Sequence, residues 1–117
     1  VAATVLIVDD HEGFRRFARR LLEAGGLTVI GEAPDAAAAI QATEQLAPDM
    51  VLLDVKLPDR DGFAVVAEIA HRTAVVLTSS HELDDLRTRV ERTSARGFIA
   101  KDDLSAEALV AIAEGQP

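Results

Sequence analysis

The chain has 117 residues, 49% of them hydrophobic, enough for one substantial core without covalent staples, so a single domain over 1–117 is expected. It contains no cysteine, which excludes disulfides, thiolate metal sites and cysteine nucleophiles. A net charge of −8, with four Phe and no Tyr or Trp, repels phosphate backbones and anionic lipid and offers no stacking platform, so direct nucleic-acid or membrane binding is not expected.

The apolar runs are too short to span a bilayer. The first lacks a basic flank and stops at Asp9, unlike a secretory leader, and a cytoplasmic protein is expected. The chain opens on Val1, not Met, and stops soon after its last helical pattern, as a segment trimmed from a longer protein would.

Short apolar runs alternate with 3.6-period stretches from end to end, the pattern of repeated βα units around a parallel sheet. Thr4 to Val8 is the first predicted strand. Phe14, Phe17, Ala18, Leu21 and Leu22 then form one apolar stripe on a helix that Gly25 and Gly26 end. A second strand over Thr28 to Glu32 leads to an Ala-rich helix capped by Asp35, reaching toward Leu46 and closed by Pro48. Met50 to Leu53 is the third strand, and Phe63, Val66, Ala67 and Ala70 mark the third helix. Asp59 and Asp61, between Pro58 and Gly62, read as turn and cap residues leading into that helix. After a short connection, His71 to Thr73, the fourth strand covers Ala74 to Leu77. Leu83, Leu86 and Val90 make a weaker stripe in a charge-rich stretch. Gly97 to Ala100 is the fifth strand, and Ser105 caps a last helix containing Leu109 and Ile112.

Five βα units with right-handed crossovers give a doubly wound α/β sandwich on a five-stranded parallel sheet, whose ligand crevice lies beyond the carboxyl ends of the strands. The residues after the apolar runs are Asp9 and Asp10, Asp54, Thr78 and Lys101. If the strand order is 2-1-3-4-5, these strands are neighbours and their tips share one cleft. Three carboxylates there repel one another unless a cation sits among them, and a hard, oxygen-rich site suits Mg²⁺ better than zinc. With the Lys101 ammonium the pocket becomes neutral. A neutral pocket with a hydroxyl donor, Thr78, is what phosphoryl transfer requires, and Asp54 is its natural nucleophile, forming an acyl phosphate.

From "VLIVDDH" through "VLLDVKLPDRDG" and "VVLTSSH" to "GFIAKDDL", the chain resembles the receiver domain of two-component response regulators over essentially its whole length. The resemblance implies a flavodoxin-like (βα)5 fold with strand order 2-1-3-4-5. It implies a Mg²⁺-dependent domain that accepts phosphate on Asp54 from a histidine kinase or phosphotransfer protein, then switches conformation to control a partner or fused output domain. Asp10 would bind Mg²⁺ directly and Asp9 mainly through water, with Asp54 and the Lys56 backbone carbonyl as further ligands. Thr78 would move to hydrogen-bond the phosphoryl group, Lys101 would pair with it, and Phe98 stands at the position of the family's switch aromatic. Such a domain phosphorylates itself without turning over an external substrate. The "DDH" and "KDD" forms resemble the branch often fused to helix-turn-helix DNA-binding domains, and a homodimer on phosphorylation is a further expectation.

His11 reads as facing solvent, Glu12 as a helix-dipole or water-holding acid, and His71 and His81 as surface residues. The resemblance implies that Lys56 and Ser80 stand at positions that vary in the family and influence the acyl-phosphate lifetime. The Lys56 side chain either leans over the phosphoryl group or faces water, and is expected to tune that lifetime. Lacking a hydroxyl, Phe98 must switch by packing. Two other functions compete. A phosphate-independent interaction module would retain the fold but has no need for the full set of acids, hydroxyl and lysine. A metal nuclease is suggested by Pro48-Asp49 with Asp54-Val55-Lys56, but the spacing is cramped and the acidic surface opposes DNA.

Overall fold

The computed structural model describes residues 3–80 and 84–115. The elements alternate as β1 (Thr4–Val8), α1 (Glu12–Ala24), β2 (Thr28–Ala33), α2 (Ala36–Leu46), β3 (Met50–Asp54), α3 (Gly62–Ile69), β4 (Ala74–Ser79), α4 (Asp84–Glu91), β5 (Gly97–Ala100) and α5 (Ala106–Ala113), with a 3-10 turn over Lys101–Asp103. The strands form one sheet in the order β2-β1-β3-β4-β5, every neighbouring pair parallel. This is the doubly wound, flavodoxin-like arrangement, and it makes β1, β3, β4 and β5 contiguous.

Period-2 alternation sorts the strand side chains between two layers of helix. Val5, Ile7, Met50, Leu52, Val76 and Ile99 pack toward α1 and α5 with Ala18, Leu22 and Leu109. Leu6, Val8, Val51, Leu53, Val75 and Leu77 face α2, α3 and α4. Both faces are covered, so β1 and β3 read as unbroken apolar runs and their large side chains are fully buried.

Caps set the helix starts. The Asp35 carboxylate accepts from the Ala38 N–H at 2.8 Å, Asp61 from the Phe63 N–H at 2.8 Å, and the Ser105 hydroxyl oxygen from the Ala108 N–H at 3.0 Å. Asp59 departs from expectation. Its carboxylate reaches back to the first turn of α2, accepting from the Ala36 and Ala37 N–H groups at 2.8 and 3.1 Å, and so caps the preceding helix together with Asp35. The β3–α3 loop is thereby tied to α2.

The stripes of two helices are also corrected. Phe17 is 54% exposed, because the line along which α1 meets the sheet runs through Ala18 and Leu22. In α3 the buried side chains are Val65, Val66 and Ile69, while Ala67 faces solvent. That helix is apolar on nearly every side, so spacing could not select the buried face. Leu83 lies outside the described residues. No helix among the described residues is long and apolar enough to cross a membrane.

Candidate functional site

The alternation that builds the α1/α5 side of the core also aims the polar rim. Asp9 continues the parity of Val5 and Ile7, Asp54 that of Met50 and Leu52, Thr78 that of Val76, and Lys101 that of Ile99. Asp54 and Thr78 are not beyond their strands as expected: β3 extends to Asp54 and β4 to Ser79, and Asp54 is the ladder partner of Thr78. Being inside the ladder holds both backbones rigidly.

Asp9 is fully buried, Asp54 only 5% exposed and Thr78 fully buried, which for three polar side chains demands partners. Lys101 supplies much of the answer: its Nζ stands 2.5 Å from Asp9 Oδ2 and 3.3 Å from Asp54 Oδ2. The Asp54 Oδ1 accepts from the Lys56 N–H at 3.0 Å, and Asp9 Oδ1 from the His11 N–H at 2.8 Å. Arg15 donates to the Asp9 carbonyl at 2.6 Å, pinning the backbone at the tip of β1. Close as it is to the ammonium, Asp9 Oδ2 makes an ion pair without the angles of a directed hydrogen bond. It and Thr78 Oγ1 are buried polar atoms with no hydrogen-bond partner among the described residues.

Electrostatics follow from this crowding. Burial pushes the Asp9 carboxyl up, but the Lys101 ammonium and the His11 N–H together outweigh it and hold Asp9 below the usual carboxylate range. Asp54 goes the other way: burial, reinforced by the negative charge of Asp9, raises it despite the Lys56 N–H and Lys101. Burial alone would depress Lys101, yet its two carboxylate partners carry it above the ordinary lysine value.

Ligand atoms of Asp9, Asp10, His11 and Asp54 all lie within 4.8 Å of one another, an arrangement able to hold a metal ion. Three of the four groups are carboxylates and Asp9 Oδ2 is buried without a directed bond, so the donor set fits a hard divalent cation. His11 faces solvent as expected, its side chain 72% exposed, and its Nδ1 in addition sits 3.1 Å from both Asp9 Oδ1 and Asp10 Oδ1.

Lys56 is exposed, and its backbone bridges to Asp61 across the β3–α3 loop. Phe98 is half-buried and belongs to the α4 side of the sheet, the face opposite to Thr78. Ser80 and His71 are exposed, and His81 lies outside the described residues. Asp49 is remote from the cleft: at the amino end of β3 it exchanges hydrogen bonds with Thr4 at 2.8 and 2.9 Å. Five residues of strand put it about 16 Å from Asp54, which separates the two acids a nuclease would need together. Sequence reasoning missed Arg15, whose contact is to a carbonyl and leaves no residue-type signal, and took Phe14 as core alone.

The family described as "Response regulator receiver domain" matches residues 5–114. The chain belongs to this family. The receiver domain is 35% identical over 112 residues to "Probable transcriptional regulatory protein NarL" of Mycobacterium tuberculosis, covering 92% of this chain and 52% of that protein. It superimposes on the solved signal receiver domain of NarL from the same organism with a TM-score of 0.89 at 33% identity, covering 98% of each chain. It is also 36% identical over 101 residues to a "Protein-glutamate methylesterase/protein-glutamine glutaminase" of Alkalilimnicola ehrlichii, covering 82% of this chain and 26% of that protein. The chain spans about half the length of the curated transcriptional regulators it matches. It is therefore a signalling domain of the two-component kind with the family's phosphoacceptor role, similar to the receiver domain of NarL-like transcriptional regulatory proteins.

Proposed function

We propose that the receiver domain accepts a phosphoryl group on Asp54 from a phosphohistidine of a histidine kinase or phosphotransfer protein, in the presence of Mg²⁺. The observation that supports this reading most is the convergence of Asp9, Asp54, Thr78 and Lys101 at adjacent strand tips, with two buried polar atoms still lacking directed bonds. An Asp54 carboxylate oxygen attacks phosphorus, the P–N bond breaks as the P–O bond forms, and the departing imidazole nitrogen keeps the electron pair. Asp9, Asp10, Asp54 and the Lys56 carbonyl would hold the ion, with His11 beside them. Bound there, Mg²⁺ supplies positive charge against the phosphoryl oxygens. Lys101 releases Asp54 and pairs with a phosphoryl oxygen, and Thr78 turns its unpartnered hydroxyl toward another. Phe98 then repacks on the α4 side and passes the change outward.

The exposed Lys56 side chain, beside the acceptor, sets the acyl-phosphate lifetime without being needed for phosphorylation. The domain occupies the whole chain, works in the cytoplasm, turns over no external substrate, and on phosphorylation pairs with a second copy or an output domain without touching DNA itself. Labelling with a small phosphodonor and Mg²⁺, read by intact mass, tests the reading: wild type should gain one phosphoryl group and Asp54→Asn none. Equal labelling of both removes Asp54 as acceptor. An unlabelled wild type whose spectra also ignore Mg²⁺ with beryllofluoride would leave a phosphate-independent module.

A further inference from the structure

Lys101 has a third neighbour besides its two carboxylates. Its Nζ lies 4.3 Å from the centroid of the Phe14 ring, well within the reach of a cation–π contact. Phe14 stands in the first turn of α1, half-buried against the α1/α5 side of the core, and its ring meets that of Phe17 at 6.4 Å between centroids. The stripe explains why an apolar residue occupies this place. A leucine would serve packing equally well, but only an aromatic ring presents a negative face to an ammonium.

We propose that Phe14 is a positioning residue for Lys101, holding the ammonium at the cleft through the change from unphosphorylated to phosphorylated state. The inference rests on the phosphoacceptor reading above. In the structure Asp9 and Asp54 fix Lys101, yet both carboxylates are claimed when the ion and the phosphoryl group arrive. The ring face is a contact of the Lys101 ammonium that neither event consumes. Lysine carries four flexible methylenes, and a partner that persists limits the rotamer freedom lost when the ammonium meets phosphoryl oxygen.

The test uses the whole chain with Phe14→Leu, Phe14→Tyr and Phe14 replaced by mono-, di- and trifluorinated phenylalanine, which weaken the ring's negative face while keeping its shape. Two readouts are taken. Ring current should place the Lys101 ε-methylene protons upfield in wild type and Phe14→Tyr, and that displacement should vanish in Phe14→Leu. Affinity for beryllofluoride with Mg²⁺ should fall about 3- to 10-fold in Phe14→Leu, fall stepwise with fluorination, and largely recover in Phe14→Tyr. The same ε-methylene position in wild type and Phe14→Leu overturns the contact. Unchanged affinity across the fluorinated series overturns its role. A wild type that binds no beryllofluoride overturns the phosphoacceptor reading and this inference with it, an outcome distinct from a normal wild type with an equally normal Phe14→Leu.

Discussion

The Lys101 ammonium bridges Asp9 and Asp54 across the tips of β1 and β3, at 2.5 and 3.3 Å. Removing it leaves two buried carboxylates facing each other. Lys101→Met should therefore lose about 1–3 kcal/mol of stability at pH 7, measured by urea unfolding, and regain part of it when Mg²⁺ is added. Because the folded state raises the Lys101 pKa, its contribution is complete below the unfolded value of about 10.4 and is lost only as pH rises through the higher folded value. A variant as stable as wild type without metal would show that the ammonium does not hold the acids together.

Gly62 and Gly13 make an opposed pair. A Cβ on Gly62 would lie 2.5 Å from the Asp54 carbonyl oxygen and 2.8 Å from Val55 Cα, backbone atoms that cannot step aside. Gly62→Ala should cost about 1–3 kcal/mol and slow phosphorylation by displacing Asp54. A Cβ on Gly13, in the first turn of α1, would meet nothing within 4 Å, and Gly13→Ala should stabilise by about 0.4–1 kcal/mol. Thermal melts of the two variants would check both signs.

Asp59 titrates below the usual carboxylate range, chiefly because the Ala36 N–H donates to its charged form; partial loss of water opposes this, and the Ala37 N–H adds to the lowering. Its contribution is present above the unfolded value of about 3.9 and is lost as pH falls through the lower folded value. Asp59→Asn should melt below wild type at pH 7. The two melting curves should draw together as pH drops past the ordinary aspartate value. A constant gap down to strong acid would remove the charge-assisted cap of α2.

Arg89 joins α4 to the start of α3: its guanidinium lies 4.0 Å from the Phe63 ring centroid, and Nη2 donates to Asp61 Oδ2 at 2.8 Å. Both partners are about half exposed, so a double-mutant cycle of Arg89→Ala with Asp61→Asn should give a coupling below about 1 kcal/mol. Amide exchange in α4 should nonetheless quicken in Arg89→Ala, since that helix loses its tie to α3. Unaltered exchange there would show that packing alone, through Leu86 and Val90, holds the helix.

Strand positions, caps at Asp35 and Ser105, and the family were legible in the sequence because each depends on local order: apolar runs, a capping oxygen three residues from its N–H, and fixed motifs. The polar residues at strand ends were legible for the same reason, and period-2 parity carries them to one rim once the strands are adjacent. What lay beyond sequence was set by distances between segments far apart in the chain. Asp59 caps a helix 23 residues earlier, Arg89 meets Asp61 across 28, and the Lys101 ammonium lies over a ring on α1. Phe17 and Ala67 fell on the wrong faces because periodicity gives the angle between side chains, whereas only packing against the sheet decides which angle points inward. Sequence by itself determined the elements and the residues at their tips. The tertiary structure decided their partners, since a hydrogen bond or an ion pair needs atoms within about 3 Å and spacing along the chain does not supply that.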